Sequence, residues 1–290
     1  MYAPSFDYYR ARSVSDAHQL LAAHPGAKLL AGGHSLLPLL KLRLAEPSAV
    51  IDIGRIAELR GISKQADRIR IGALTTHAEL AASADLRTAA PALAEAAALV
   101  GDPAVRNRGT IGGNIAHADP ASDLPTVLVA LNAGVVAAGP KGERTIPAEE
   151  FFTGIMSTAL AEDEILVAIQ VPPSSRGQGS AYEKFAHPAS RYAIVGVAAL
   201  IAITNGTCSS ARVAVGGLLP SARRATAVER GLVGKAMTDD AIGAAAAQVA
   251  GDLGNDVTGD IYASAEYRAA MAPVFTKRAI ANAAARASLT

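Results

Sequence analysis

Two pairs of adjacent glycines in this chain stand beside small polar side chains. The first pair lies in Ala31-Gly-Gly-His-Ser35, directly after the apolar run Lys28-Leu-Leu30, and the second lies in Thr110-Ile-Gly-Gly-Asn114, which opens the stretch 110–125. Because glycine has no Cβ, it adopts positive φ readily and lets its N–H group approach a phosphate oxygen closely. The two segments therefore indicate loops that present bare backbone amides to an anionic ligand.

The residues around and after the second pair add the side chains that a sugar or a heterocycle needs. Thr110, Asn114 and Ser122 can donate hydrogen bonds to phosphate or sugar, whereas Asp119 and Asp123 can accept them from ribityl or ring groups. This combination favours a diphosphate-bearing cofactor gripped from two sides. Taken alone, each glycine pair also fits a tight turn ahead of a helix.

Motifs of the common nucleotide-binding and hydrolytic classes do not occur. The chain contains no G-x-G-x-x-G between a strand and a helix, no G-x-x-x-x-G-K-S/T and no G-x-S-x-G. No hydrolytic nucleophile is therefore expected, and the site residues named below are expected to bind a cofactor rather than to be catalytic. His34 and His117 lie inside the two loops without a third ligand, which favours hydrogen bonding over a metal site. The other histidines are interpreted as surface or local capping residues: His18, His24, His77 and His187.

Composition limits the class of protein. Half of the 290 residues are hydrophobic and only 18% are charged, so the chain can bury a large core. A net charge of +1 gives no footprint for nucleic acid or an anionic membrane surface. Cys208 is the only cysteine, which excludes an internal disulfide and an iron–sulfur cluster held by this chain alone. No signal peptide or membrane span is evident, and a cytoplasmic location is expected.

Hydrophobic periodicity divides the chain into three parts, at 1–55, 56–175 and 180–290, with a Pro- and Gly-rich stretch before the third. The first reads as β-α-β, the second opens with a hairpin at 62–71, and the third has strands before helices. That order predicts an α+β fold whose C-terminal domain carries a three-stranded antiparallel sheet. The other predicted elements are helices at 13–24, 77–83, 91–100, 122–131, 221–234, 238–253 and 262–287, and strands at 27–31, 49–53, 134–138, 164–171, 181–186, 193–204 and 208–218.

The two glycine segments, followed by Asp-Pro-x-Ser-Asp at 119–123, resemble the FAD-binding subunit of the molybdenum hydroxylases, the xanthine dehydrogenase and carbon monoxide dehydrogenase family. The likeness is nearest to medium subunits of the carbon monoxide dehydrogenase type. It extends through Ile71-Gly-Ala-Leu-Thr-Thr-His77, Pro103-x-Val-Arg-Asn-Arg-Gly109 and Glu183-Lys184. It implies a two-lobed FAD-binding fold of the vanillyl-alcohol oxidase (PCMH) type, with lobes at 1–55 and 56–175, and a flavin-subunit domain at 180–290.

At matching positions the resemblance implies which residues hold FAD. The two glycine segments would contact the diphosphate and Asp123 the flavin moiety, while Lys184 would stabilise negative charge on the reduced ring. Tyr192 would stack over the isoalloxazine and Leu166 would pack against it. The full set expected to contact FAD is Leu29, Leu30, Ala31, Gly32, Gly33, His34, Ser35, Leu36, Thr110, Ile111, Gly112, Gly113, Asn114, Ala116, His117, Ser122, Asp123, Leu166, Lys184 and Tyr192.

The resemblance also implies partners: a small subunit with 2Fe-2S clusters and a large molybdopterin subunit, assembled as a dimer of heterotrimers. Electrons would pass from the clusters through FAD to an external acceptor, which accounts for the single cysteine. One alternative is a free-standing FAD-dependent oxidoreductase that acts on its own small-molecule substrate. Another is a scaffold that has lost its cofactor. The substrate would bind the large subunit, so this chain does not identify it.

Overall fold

The structure is a computed structural model that describes residues 2–289, and its N-terminal part is built on a small parallel sheet. The elements of this part are β1 (Asp7–Arg10), α1 (Val14–Ala23), β2 (Lys28–Leu30), α2 (Leu36–Lys41) and β3 (Ala49–Asp52). The strand order is β1-β3-β2, with both pairs parallel. The predicted β-α-β arrangement is confirmed.

A five-stranded antiparallel sheet forms the centre of the second part. The elements of this part are β4 (Ile62–Lys64), β5 (Ile69–Gly72), α3 (His77–Ala82), α4 (Ala84–Ala89), α5 (Pro91–Leu99), α6 (Pro103–Arg106), α7 (Ile111–His117), α8 (Asp123–Ala130), β6 (Gly134–Gly139), β7 (Gly142–Pro147), α9 (Ala148–Phe151), β8 (Phe152–Gly154), β9 (Ser157–Thr158) and β10 (Ile165–Val171). The strand order of the sheet is β4-β5-β10-β6-β7, and β8 pairs with β9 separately. The hairpin at 62–71 is confirmed, whereas β7, β8, β9, α4, α6 and α9 were not predicted.

The C-terminal part is an antiparallel sheet covered by helices. Its elements are β11 (Gln178–Ala186), β12 (Ala193–Thr204), β13 (Thr207–Gly216), β14 (Arg223–Arg224), α10 (Thr226–Leu232), α11 (Asp239–Ala247), α12 (Val249–Leu253) and α13 (Ala265–Ala287). The sheet has four strands rather than the predicted three, because the two-residue β14 pairs with Ala214 and Val215 at the end of β13. A strand of two residues carries no periodic signal.

The central strands β6 and β10 of the five-stranded sheet are buried on both faces. Val135 and Ile169 point to a core formed with the helices of the second part, whereas Val136 and Val167 pack with Ile51 of β3. Since successive side chains of a strand point to opposite faces, β6 and β10 can serve both cores. This packing fixes the parallel sheet against the antiparallel one and brings the segment after β2 close to α7.

Residues 111–117 form helix α7, where a loop was expected. Two glycines weaken intrinsic helix propensity. Thr110, however, caps the helix by accepting a hydrogen bond from the Gly113 N–H at 3.2 Å, and tertiary contacts hold the first turn. The domain bounds 1–55, 56–175 and 180–290 stay predictions. No helix within residues 2–289 is both long and apolar enough to cross a membrane.

Candidate functional site

A cavity of about 820 Å³ lies where the three parts of the chain meet. Its volume is within the range of about 300–1,000 Å³ that is usual for cofactor sites. The parallel sheet contributes the segment after β2, the second part contributes α7 and the loop before α8, and the C-terminal part contributes Ser190, Arg191 and Tyr192. Seventeen of the predicted contact residues line this cavity: Leu29, Ala31, Gly32, Gly33, His34, Ser35, Leu36, Thr110, Gly112, Gly113, Asn114, Ala116, His117, Ser122, Asp123, Leu166 and Tyr192.

The first glycine segment presents open backbone amides to the cavity. Within residues 2–289 none of the N–H groups from Ala31 to Leu36 donates to a protein acceptor. Gly33 has φ of +81°, which a side chain would disfavour. A Cβ on Gly32 would overlap the carbonyl oxygen of Arg108. The segment is therefore a compact anion cradle of the kind that successive backbone N–H groups form.

The second glycine segment uses its amides inside the protein. The N–H of Ile111 donates to the carbonyl oxygen of Thr75 at 2.9 Å, and that of Gly112 donates to the carbonyl oxygen of Ala73 at 2.8 Å. Neither Gly112 nor Gly113 has positive φ. The expectation of bare amides at this segment is wrong. Gly112 is needed for close packing, because a Cβ there would lie 2.5 Å from the Cβ of Ala73.

The second segment therefore contributes side chains, rather than backbone N–H groups, to the cavity. The hydroxyl of Ser122 donates to Oδ1 of Asn114 at 2.8 Å, which leaves the Asn114 amide N–H groups available to a ligand. Ala118 adopts the left-handed conformation with φ of 52° and ends α7, so the chain turns toward α8. Asp119 is held in that turn, because its Oδ1 accepts from the N–H of Ala121 at 2.9 Å.

Asp123 joins the cavity wall to the C-terminal part. Its Oδ1 accepts from the hydroxyl of Tyr182 at 2.6 Å and its Oδ2 accepts from Nζ of Lys184 at 2.9 Å. Burial raises the pKa of Asp123, while Lys184 and the Tyr182 hydroxyl oppose that rise. Burial and the Asp123 charge raise the pKa of Tyr182. Tyr182 and Lys184 both donate hydrogen bonds to Asp123, and these bonds stabilise its ionised carboxylate in an environment with little water.

Three predicted contact residues lie behind the cavity wall. The side chain of Lys184 is only 2% exposed and also donates to the carbonyl oxygen of Leu99, so its ammonium group acts on the cavity through Asp123. Ile111 is fully buried in the core below α7, and Leu30 lies in the parallel sheet. Neither lines the cavity. The resemblance indicated Lys184, and Leu30 and Ile111 were included because they adjoin the glycine segments, whereas side-chain direction decides which residues reach the cavity.

Tyr192 and Leu166 stand on the cavity wall at positions that the resemblance indicated. Tyr192 is 46% exposed, and burial, followed by the charges of Asp119 and Asp123, raises its pKa. Its carbonyl oxygen accepts from the N–H of His187, which closes the loop that carries it. Leu166 lies at the register shift of β10 and lines the cavity.

His77 is a cavity residue that sequence reasoning missed. It was interpreted as a surface or capping residue, but it is 3% exposed and lines the cavity. Burial, followed by the charges of His34 and Arg106, lowers the pKa of His77 to about 4. The capping box of Thr76 and Glu79 fixes His77 as the first residue of α3. That box is legible in the sequence as T-x-x-E and was the available signal.

The residues around the cavity fit FAD. The open amides after β2 suit a diphosphate, and the Asn114 amide and Asp123 suit polar groups of a sugar or ring. Within residues 2–289 no group of three or more His, Cys, Asp or Glu side chains is arranged to hold a metal ion.

Two family descriptions match the chain: "FAD binding domain in molybdopterin dehydrogenase" over residues 4–174 and "CO dehydrogenase flavoprotein C-terminal domain" over residues 180–283. The chain is 44% identical to the carbon monoxide dehydrogenase medium chain of Hydrogenophaga pseudoflava, over 99% of each protein. It is 34% identical to the xanthine dehydrogenase FAD-binding subunit of Escherichia coli, over 97% of this chain and 96% of that protein.

A solved structure agrees with these relatives. The fold matches a chain of Hydrogenophaga pseudoflava carbon monoxide dehydrogenase, in a form that lacks the Mo-pyranopterin moiety, with a TM-score of 0.94 at 45% identity over 99% of each chain. The cradle, the cavity and the two family matches lead to one conclusion. The chain belongs to the FAD-binding subunits of the molybdopterin dehydrogenases, a family of oxidoreductases, and FAD is its cofactor.

Proposed function

We propose that this chain is the electron-transfer subunit of a molybdenum-containing hydroxylase or dehydrogenase complex. Electrons reach it from 2Fe-2S clusters of a small partner subunit and leave through FAD to an external acceptor, while a large molybdopterin subunit oxidises the substrate. When bound, FAD supplies the redox chemistry that connects one-electron and two-electron carriers. The single cysteine of this chain supports the division of labour, because cluster ligands must come from elsewhere.

The chain's own residues bind and orient the cofactor. The N–H groups from Ala31 to Leu36 would hold the diphosphate, and Asn114, with its carbonyl oxygen occupied by Ser122, would donate to the sugar or phosphate. Asp123 would accept from a ring N–H, with Lys184 and Tyr182 holding its carboxylate in place. Tyr192 and Leu166 would enclose the ring and limit the access of water.

The open cradle after β2 is the single observation that carries this function. Six successive residues, Ala31 to Leu36, leave their N–H groups without protein acceptors at the edge of a cavity large enough for a cofactor. Unpaired backbone donors cost free energy unless a ligand or water satisfies them. A bound diphosphate would supply acceptors for these donors, which favours a cofactor-binding subunit over a scaffold that has lost its cofactor.

Assembly and substrate belong to the same proposal. We expect the complex to be a dimer of heterotrimers in the cytoplasm, a reducing compartment in which proteins usually lack disulfides. Chains similar to this one carry the names of two different dehydrogenases, for carbon monoxide and for xanthine. We therefore expect the large subunit, and not this chain, to determine the substrate. Carbon monoxide is the first substrate to test, because the carbon monoxide dehydrogenase relative is the more similar of the two.

The test compares Gly33→Val with Gly26→Val in the chain co-purified with its partner subunits. Both glycines have positive φ, at 81° and 82°, and both lie in the N-terminal part, but only Gly33 lines the cavity. We expect the Gly33 variant to lose the flavin absorption bands and the Gly26 variant to keep them. Full flavin occupancy in both variants would contradict the proposal.

A second measurement separates the subunit from a free-standing oxidoreductase. The chain is expressed alone and mixed with candidate substrates, and the flavin absorbance is followed. We expect no bleaching until the partner subunits are added. Bleaching by the isolated chain would replace the proposed function with an oxidase or dehydrogenase that acts on its own substrate.

A further inference from the structure

Gly109 links the ring of His77 to the open cradle after β2. A Cβ on Gly109 would lie 2.9 Å from Cδ2 and 3.0 Å from Nε2 of His77, and a Cβ on Gly32 would lie 3.0 Å from the Cα of Gly109. The backbone N–H of His77 donates to the carbonyl oxygen of Gly109 at 3.0 Å, which holds the main chain of His77 beside Gly109. One bare glycine therefore separates the imidazole from the cradle.

The two ring nitrogens of His77 differ in their surroundings. Nδ1 is buried and has no hydrogen-bond partner among the described residues. Nε2 lies on the ring edge that faces Gly109, a residue of the cavity wall. A buried N–H without an acceptor is rarer than a buried acceptor without a donor. The proton is therefore assigned to Nε2, where it points toward the cavity side.

The charge state of the ring suits a site that is already cationic. Burial lowers the pKa of His77 to about 4, so the imidazole is neutral at neutral pH. Arg106 is held nearby, because its Nη1 donates to the carbonyl oxygens of Val100 and Gly101 at 3.0 and 3.1 Å. A neutral N–H adds a hydrogen bond for an anion without placing another positive charge beside Arg106.

We propose that His77 is a cofactor-binding residue whose Nε2–H donates to the diphosphate of FAD, next to the backbone N–H groups from Ala31 to Leu36. The proposal rests on the proposed function, since it needs FAD in the cavity. It assigns to α3 a contact that neither glycine segment provides. It also accounts for a histidine at this buried position, because the Nε2–H would gain a charged acceptor, whereas a buried donor without an acceptor costs about 1–3 kcal/mol.

The test uses dissociation constants for FAD and for riboflavin, which lacks phosphate, measured by flavin fluorescence on the flavin-depleted complex. His77→Leu removes the donor at similar volume, and His77→Gln keeps an amide N–H near the position of Nε2. His24→Leu is the control, because His24 caps α1 outside the cavity and stacks on Tyr9.

We expect His77→Leu to weaken FAD about tenfold or more, as the loss of one hydrogen bond to a charged group does. His77→Gln should recover most of that loss, and riboflavin should bind equally to all variants. Unchanged FAD affinity in a folded His77→Leu variant would overturn the inference. Equal losses for FAD and riboflavin would overturn it as well, since the contact would then be to the ring.

A measurement on the wild-type complex covers the case in which His77→Leu does not fold. Nitrogen-15 spectra of the imidazole should show the Nε2–H form, with a shift of its signal when FAD is added and none with riboflavin. A spectrum that FAD leaves unchanged would overturn the inference. A wild-type complex that binds no flavin at all would overturn the proposed function too, so the two failures are distinguishable.

Discussion

Segments 31–35 and 110–114 both combine two glycines with hydroxyl-bearing residues, yet they use their backbone N–H groups in opposite ways. The first leaves them open to the cavity. The second donates them to Ala73, Thr75 and its own cap, Thr110. The difference teaches that a Gly-Gly pair marks a close approach of backbone, while the partner in that approach depends on the fold: a ligand in one case and the neighbouring chain in the other.

Breaking the buried ion pair of Lys184 and Asp123 should have the largest effect on stability. We expect Lys184→Met to destabilise the protein by about 3–5 kcal/mol, because it leaves the Asp123 carboxylate buried without its cation. Adding Asp123→Asn should restore part of this loss. Urea unfolding of the flavin-free chain measures both variants. A loss below about 1 kcal/mol, the usual value of an exposed ion pair, would contradict a structural role for this wall.

The packing role of Gly112 gives the next effect. Gly112→Ala would place a Cβ 2.5 Å from the Cβ of Ala73, and overpacking of this kind costs about 1–3 kcal/mol. Gly251→Ala is the matched control, since Gly251 is also helical but has open space around it. That change should stabilise by about 0.5–1 kcal/mol. Equal thermal stability of the two variants would remove the distinction between the segments.

The dependence of stability on pH tests the burial of His77, which lies near both segments. Because the pKa of His77 is about 4 in the folded chain and 6.5 as its ordinary value, the unfolded chain binds the proton first as pH falls. Stability from this group is therefore complete above pH 6.5 and is lost down to pH 4, by up to about 3 kcal/mol. His77→Leu should lack that part of the acid dependence. If the stability of the wild type and of the variant fell in parallel between pH 6.5 and pH 4, this contribution of His77 would be excluded.

The helix caps give the smallest effect and compare the segments directly. Thr110 accepts from the N–H of Gly113, whereas Ser35 precedes α2 without a side-chain capping bond. Thr110→Ala should cost about 1 kcal/mol of stability. Ser35→Ala should stay within about 0.5 kcal/mol, as a change without a native contact does. Thermal unfolding of the flavin-free chain checks both, and a larger loss for Ser35→Ala would reverse the assignment of the two segments.

Much of the cavity wall was predicted from sequence because the motifs lie on continuous segments. Residues 31–36 and 122–123 line the cavity as expected, and the β-α-β order of the first part and the hairpin of the second follow from periodicity. The prediction failed where the direction of a side chain, or a partner from a distant segment, decides which groups a residue contacts. Lys184 turns to Asp123 from another strand, and His77 is buried by Gly109 and its neighbours. The capping box locates His77 at the start of α3, but nothing local in the sequence indicates what packs against either side chain.

The sequence by itself determined the class of the chain, because glycine spacing, hydrophobic periodicity and a single cysteine are local properties. It also determined the family resemblance and therefore FAD. The tertiary structure alone decided which amides are free, which carboxylate is paired and which histidine is dry. Those properties depend on what packs against a residue from elsewhere in the chain, and a backbone N–H is a ligand donor only when no carbonyl oxygen of the protein reaches it first.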